Sequence, residues 1–209
     1  MADLNKIYLY RMTHIDNVPH ILAHGITHRN SVNNNPNFTP IGDSTLISTR
    51  DGFVLDNGRT LGEYIPFYFG PRMPMLYVIQ KGFNGVPVTH AQDIVYCVTS
   101  IQKIVETKQA FVYTNGHALD TFSSQFIPQD VADIDNQVDF QAIKVKDWNS
   151  PTDLDLKRRM QAEFLLLGDL PNTAILGFVV YNQQGNNRLL AMGLQANQIH
   201  INNKHYFAL

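Results

Sequence analysis

Disulfide cross-linking is excluded at once: the 209-residue chain has one cysteine, Cys97. Export is not indicated either. The opening MADLNKIYLYRM has neither the long apolar core nor the small-residue cleavage site of a secretory leader, and a lone thiol suits a reducing cytosol. Long hydrophobic runs are missing too. The longest, such as AILGFVVY at 174–181, are far too short to cross a bilayer, so a soluble cytoplasmic protein with no membrane partner is expected. Net charge is only −2 with eight histidines counted neutral, so a polyanion would have to be met by a local patch rather than by the overall field. Positive charge is absent from 109 to 143, where Asp120, Asp130, Asp133, Asp135 and Asp139 stand without a cation among them. That stretch repels a nucleic-acid backbone. No phosphate loop, dinucleotide-binding glycine fingerprint or zinc-protease helix occurs.

What is present is a globular composition, 44% hydrophobic and 16% charged, in a length that fits a single domain, 1–209, with a real core. KIYLYRM (6–12) is rich in β-branched and aromatic residues and predicts a strand. THIDNVPHILAHG (13–25) predicts a short helix capped by Asp16 or Asn17, with an apolar face of Ile15, Val18, Ile21 and Leu22 and a stop at Gly25. From about 27 to 62 periodicity vanishes and Asn, Gly and Pro are frequent. A loop of that length inside a compact domain usually covers or builds a site. EYIPFYFGPRMPMLYVIQ (63–80) predicts a strand, a turn and a second buried segment. DIVYCVTS (93–100) predicts a strand, SIQKIVETK (100–108) a helix, and AFVYTNG (110–116) a strand running into a turn. AEFLLL (162–167), ILGFVVY (175–181) and the short IHI and HYF near the C-terminus complete the strands. Strands dominate over a few short helices, so the class is α+β.

His20, His24 and His28 recur every four residues, as metal ligands on one helix face would. Gly25 should end the helix before His28, and no nearby Cys or Glu completes a set, so exposed histidines and no metal are expected. Cys97 lies mid-strand and reads as core. There remains Glu163. LKRRMQAEFLLL (156–167) opens basic and helix-prone and closes apolar, with this carboxylate at the join. Period-two alternation places Gln161 on the face of Glu163, which gives a fixed acid with an amide beside it. Such an acid suits oxocarbenium-like glycosidic cleavage. A structural glutamate paired with Arg158 or Arg159 accounts for the pattern equally well.

The Q-x-E order ahead of an apolar strand is similar to the catalytic strand of ADP-ribosyltransferases. More specifically, IYLYRMTHIDNVPHILAHGI, YIPFYFGPRMPMLY, AFVYTNGHAL, and DW followed by RRMQAEFLLL resemble, in that order, the DarT family of DNA ADP-ribosyltransferase toxins, which are paired with DarG-type antitoxins. The resemblance implies an ADP-ribosyltransferase-like fold: a strongly bent central sheet, short flanking helices and long site-covering loops. It implies a toxin that uses NAD as co-substrate, without a metal, and transfers ADP-ribose to a base of single-stranded DNA with release of nicotinamide. Thymine and guanine are both plausible targets in the wider family. The alternatives are an RNA or protein acceptor, or a nucleic-acid-binding module without catalysis.

By the same resemblance Glu163 and Arg50 are catalytic. Glu163 would hold the oxocarbenium-like ribose, while Arg50 would orient NAD and help take a proton from the acceptor base. Arg11, Met12, Thr13, His20 and His28 would line NAD together with Arg50, beneath the 27–62 loop; Arg11 stands where the family commonly shows histidine. The 113–163 segment becomes a substrate-recognition loop. In it Phe122, Gln125 and Phe126 would stack on and read an unpaired base, and Gln161, Arg158 and Arg159 with the other 144–159 cations would contact the DNA.

Overall fold

The computed structural model describes residues 2–207. Strands β1 (Tyr8–His14), β2 (Tyr64–Tyr68), β3 (Ile94–Ser100), β4 (Phe111–Thr114), β5 (Gln125–Phe126), β6 (Glu163–Leu167), β7 (Gly177–Val180) and β8 (Ile199–Ile201) form one sheet, in the order β5-β4-β6-β2-β1-β3-β7-β8. All pairings are antiparallel except β7–β8. Short helices flank it: α1 (Val18–His24), α2 (Ser44–Gly52), α3 (Pro74–Lys81), α4 (Ile101–Glu106), α5 (Ile134–Gln137), α6 (Phe140–Lys144), α7 (Leu156–Arg159) and α8 (Gln183–Ala191). Among the described residues, no helix is long and apolar enough to cross a membrane.

Both faces of the sheet are buried, which is why its central strands are almost continuously apolar. In β3, Val95 and Cys97 join the large core of Leu9, Phe67 and Phe164. Ile94 and Tyr96 turn the other way, onto Met73, Leu76 and Ile79 around α3. In β6, Phe164 and Leu166 enter the large core, while Leu165 packs with Leu55, Leu61, Tyr64 and Val112. Glu163 shares the face of Leu165.

The sheet is split near its middle. β1 pairs with β3 along its whole length, from Tyr8↔Ser100 to His14↔Ile94, but with β2 only at Tyr10↔Tyr68. Beyond that pair the strands part. Pro66 has no N–H to offer a ladder, and its carbonyl accepts from Arg11 Nη1 at 3.0 Å instead of from a strand amide.

Several expectations change. The 27–62 segment is not loop throughout, because α2 occupies its second half. Asp43 Oδ1 caps that helix, accepting from Thr45 N at 2.8 Å and Leu46 N at 3.3 Å. The second buried segment of 63–80 is helix α3, ended by Gly82 at φ +71°. HYF is not a strand: Tyr206 and Phe207 follow a 3-10 turn and pack into the core, where Tyr206 Oη donates to Ile94 O at 3.0 Å. Polar α8, which buries only Gly185 and Leu189, has no counterpart in the sequence reading. Neither Asp16 nor Asn17 caps α1 through its side chain. Gly25 does end it, at φ +81°, where a Cβ would fall 2.1 Å from Leu170 O.

Candidate active site

Two cavities lie along the parting of β1 and β2. The first, about 300 Å³, brings together Arg11, Thr13, His20, His28 and Arg50. The second, about 190 Å³, is lined by Met12, Asp43, Tyr68 and His117, and again by Arg11, Thr13 and Arg50. Phe38 and Arg50 belong to both walls.

Glu163 opens β6 opposite Tyr68 and is wholly buried. Its Oε2 accepts from Arg50 Nη1 at 2.9 Å and its Oε1 from the Ala118 N–H at 3.0 Å. Its own N–H donates to Thr114 Oγ1 at 3.2 Å, and that hydroxyl donates to Gly116 O at 2.7 Å. The acid is therefore bolted to the 114–118 turn, and its cation is Arg50. The pairing with Arg158 or Arg159 that strand geometry allowed is not made.

Burial works against the Arg50 charge, but Glu163 beside it, and then Tyr68, outweigh this and hold the guanidinium above its ordinary value. Arg50 Nη2 is buried with no hydrogen-bond partner. An unsatisfied buried donor costs roughly 1–3 kcal/mol, which an acceptor on a ligand would recover. Burial also depresses the Arg11 pKa, and the nearby Arg50 adds to this. Two guanidinium groups converging on one cleft favour an anionic or oxygen-rich ligand. Burial, followed by Glu163, pushes the Tyr68 hydroxyl far up, so it remains a neutral phenol. Burial takes the Cys97 thiol up to about 12, consistent with a core residue rather than a nucleophile.

The first-strand and histidine positions are held by local bonds. Thr13 Oγ1 accepts from Asn17 Nδ2 at 2.9 Å. That amide also donates to Thr39 O at 2.8 Å, while Asn17 Oδ1 accepts from Thr39 N at 2.8 Å. Asn17 thereby pins the segment carrying Phe38. A His20 ring nitrogen lies 3.2 Å from Thr27 Oγ1, and a His28 ring nitrogen 2.8 Å from Gly62 O. The spacing of four does not put these histidines on one helix face, because α1 ends at Gly25. Met12 alternates away from Arg11 and Thr13, packs on the α3 side and reaches only the second cavity.

The expected DNA contacts are placed differently. Gln161 lies in the turn before β6, beyond the reach of strand alternation, and its Nε2 donates to Lys157 O at 2.8 Å. Arg158 is spent on Asp155 at 2.6 Å, Asn115 at 3.2 Å and Ser123 at 3.1 Å. Arg159 bonds Asp139 at 3.0 Å, Asp153 at 2.6 Å and Asp155 at 3.1 Å. Of the acids in the cation-free 109–143 run Asp139 takes Arg159, while Asp153 and Asp155, next to the two arginines in sequence, supply their other acid partners. Gln125 Oε1 accepts from Asp56 N at 3.0 Å, and Phe126 stacks on Tyr113 at 5.2 Å. Phe122 is 84% exposed and lines neither cavity. Residues the sequence did not single out for the site are Asn17, read there only as a helix cap, Phe38, Tyr68, His117 and Ala118. Of these, Asn17, Tyr68, His117 and Ala118 lie inside the segments that carry the family resemblance, but nothing in their spacing marks them individually.

Comparison with solved structures gives the class. Thermus sp. 2.9 DarT in complex with ADP-ribosylated ssDNA matches at TM-score 0.81 and 26% identity, over 96% of each chain. The same protein in complex with NAD+ matches at 0.78 and 25%, over 99% of each. The fold is that of a DNA ADP-ribosyltransferase. Among curated relatives, the DNA ADP-ribosyl transferase of Escherichia coli O127:H6 is 31% identical over 188 residues, 88% of this chain and 85% of its own. A DNA ADP-ribosyl transferase-DNA ADP-ribosyl glycohydrolase fusion protein of Thermosipho africanus is 29% identical over 76% of this chain and 38% of its own length. Residues 10–207 match the family described as ssDNA thymidine ADP-ribosyltransferase, DarT. The chain belongs to the DarT family.

Proposed function

We propose that this chain cleaves NAD+ at the nicotinamide–ribose bond and transfers ADP-ribose to a ring nitrogen of thymine in single-stranded DNA. The observation that carries the reading is the buried Glu163 carboxylate, bonded to Arg50 and to the Ala118 N–H beneath the split between β1 and β2. The first cavity takes NAD+, with Arg11 and Arg50 toward its oxygen-rich and charged groups and Thr13, His20 and His28 along its walls. Binding draws Arg50 off Glu163, since the acid is otherwise wholly buried. Glu163 then stabilises the oxocarbenium-like ribose through its charge and by accepting a hydrogen bond from the 2′-hydroxyl. Arg50, cationic throughout, orients NAD+ and offsets charge as the bond to nicotinamide breaks.

The 27–62 segment acts as the cover over NAD+, and the 113–163 segment presents the acceptor. The family description supports thymine as that acceptor. Modification of the host's own DNA makes the enzyme a toxin, and a DarG-type glycohydrolase is its partner. The fused relative, which joins transferase and glycohydrolase in one chain, supports that pairing. The test is intact mass spectrometry of thymine-containing and thymine-free oligonucleotides incubated with enzyme and NAD+, beside Glu163→Gln. An ADP-ribose adduct confined to thymine and lowered about 10²–10³-fold in the variant is expected. Adducts only on RNA or protein, or equal yields with Glu163→Gln, would overturn the reading.

A further inference from the structure

We infer that Asp169 is a positioning residue for this enzyme: acting through His28, it fixes the shape of the 27–62 segment where that segment walls the first cavity. The inference rests on the reaction proposed above.

β6 carries Glu163 at its start, and Asp169 lies two residues past its end at Leu167. There the chain meets the root of the 27–62 segment. Ile26 N donates to Leu170 O at 2.8 Å and Leu170 N to Ile26 O at 2.9 Å, so the segment sets out from beside the strand's exit. Asp169 then takes hold of it. Its Oδ1 accepts from the His28 N–H at 2.7 Å and its Oδ2 from Ser31 Oγ. Its own carbonyl accepts from Gln109 Nε2, just ahead of β4, which ties the anchor to the sheet. Hydrogen bonds to an ionised acceptor are roughly twice as strong as neutral ones. A firm anchor matters here, because α2 has no buried residue and the segment cannot keep its shape by packing alone.

His28 passes the constraint on. Its Nδ1 accepts from the Asn30 N–H at 3.2 Å, so the neutral ring carries its proton on Nε2. That N–H donates to Gly62 O at 2.8 Å. The imidazole therefore joins the first residues of the 27–62 segment to the last and closes it into a ring. Gly62 in turn packs against α2: a Cβ there would fall 2.1 Å from Asp51 Oδ1, and Asp51 pairs with Arg29. Ile26, His28, Arg29, Asp51 and Gly62 all line the first cavity, whereas Asp169 lines neither cavity. With both ring nitrogens engaged inside the protein, His28 offers NAD+ a ring face of fixed orientation. Asp169 sets that orientation without touching the cofactor.

Steady-state NAD+ cleavage and transfer to a thymine oligonucleotide, measured for wild type, Asp169→Ala, Asp169→Asn and Ser31→Ala, test the inference. An amide can keep both contacts, its oxygen accepting from the His28 N–H and its NH2 donating to Ser31 Oγ; a methyl group keeps neither. Asp169→Ala should raise KM for NAD+ about tenfold and change kcat by less than about threefold. It should also raise the share of ADP-ribose lost to water instead of passed to DNA, because a loosened cover excludes solvent less well. Amide exchange should quicken over 28–34 and stay slow in β6. Ser31→Ala should fall between, and Asp169→Asn should restore both KM and the share lost to water. An aspartate with only a structural role would lower the thermal midpoint and leave those two readouts at their wild-type values. Where Asp169→Ala fails to fold, Ser31→Ala and Asp169→Asn decide on the same readouts. An active wild type with the Ala variants at its own KM, or with Asp169→Asn as impaired as Asp169→Ala, would overturn this inference alone. A wild type that neither binds nor cleaves NAD+ would overturn the reaction itself, and this inference with it.

Discussion

Two parts of the molecule meet at the acid and are built in opposite ways. β6 is rigid: Glu163, Phe164, Leu165 and Leu166 are all completely buried, and the strand is laddered to β2 and β4. α2, which brings Arg50, has no buried residue. A catalytic carboxylate gains from a scaffold that cannot yield. In the mechanism proposed above Arg50 leaves that carboxylate before substrate reaches it, and such a group gains from a support that opens cheaply. The protein places one half of the ion pair on each.

The comparison can be broken most forcefully from the rigid side. Phe164→Ala removes a ring stacked on Phe111 at 4.6 Å, and it should cost about 3–5 kcal/mol in a denaturant titration. Arg50→Ala strips α2 of its contact with Glu163. Transfer should drop about 10²-fold or more, but stability by less than about 1 kcal/mol, because the freed carboxylate can be rewetted once α2 lifts. Buried ion pairs that lose one member without such relief cost about 3–5 kcal/mol; a loss of that size for Arg50→Ala would show that α2 belongs to the scaffold. Asn17→Ala frees the Thr39 amide and carbonyl and loosens the Phe38 segment. A several-fold rise in KM for NAD+ with a smaller change in kcat is expected, together with a stability loss of about 1 kcal/mol.

The smallest effect concerns acid. Asp139 is held below its ordinary value of 3.8 by the Ala142 N–H and Arg159, Asp153 by Arg159, and Asp155 by Arg158 and Arg159. A depressed folded-state pKa contributes stability that is complete above 3.8 and fades as pH falls through the lower folded value. These pairs are partly solvated, which weakens them. Hydrogen exchange should therefore show 139–159 loosening below about pH 4 while the sheet stays protected. Simultaneous loss of both would mean that the belt and the sheet form one cooperative unit.

Legibility in the sequence followed the range of the interactions. β3, β4, α4 and the apolar part of β6 could be read directly, since β-branched and aromatic runs bounded by polar turns report burial on both faces. α2 was missed although GDSTLISTRDG carries a capping aspartate and a terminal glycine, because a helix with no buried face leaves no apolar period to see. HYF looked like a strand because its rings are core residues, but burial alone does not require a ladder.

At the site, the residues expected around NAD were found in adjoining cavities, whereas those expected to grip DNA were mostly committed elsewhere. Arg158 and Arg159 sit within one helical turn of Asp155, so short-range pairs claim them. By itself the sequence determined an α+β domain and a carboxylate at the mouth of a buried strand, through hydrophobic alternation that acts over a few residues. Only the tertiary structure decided which cation meets that carboxylate. Arg50 lies 113 residues from Glu163 along the chain, and no local rule links them. Their contact exists because β1 and β2 part beyond Tyr10 and Tyr68, and because α2 closes over the opening.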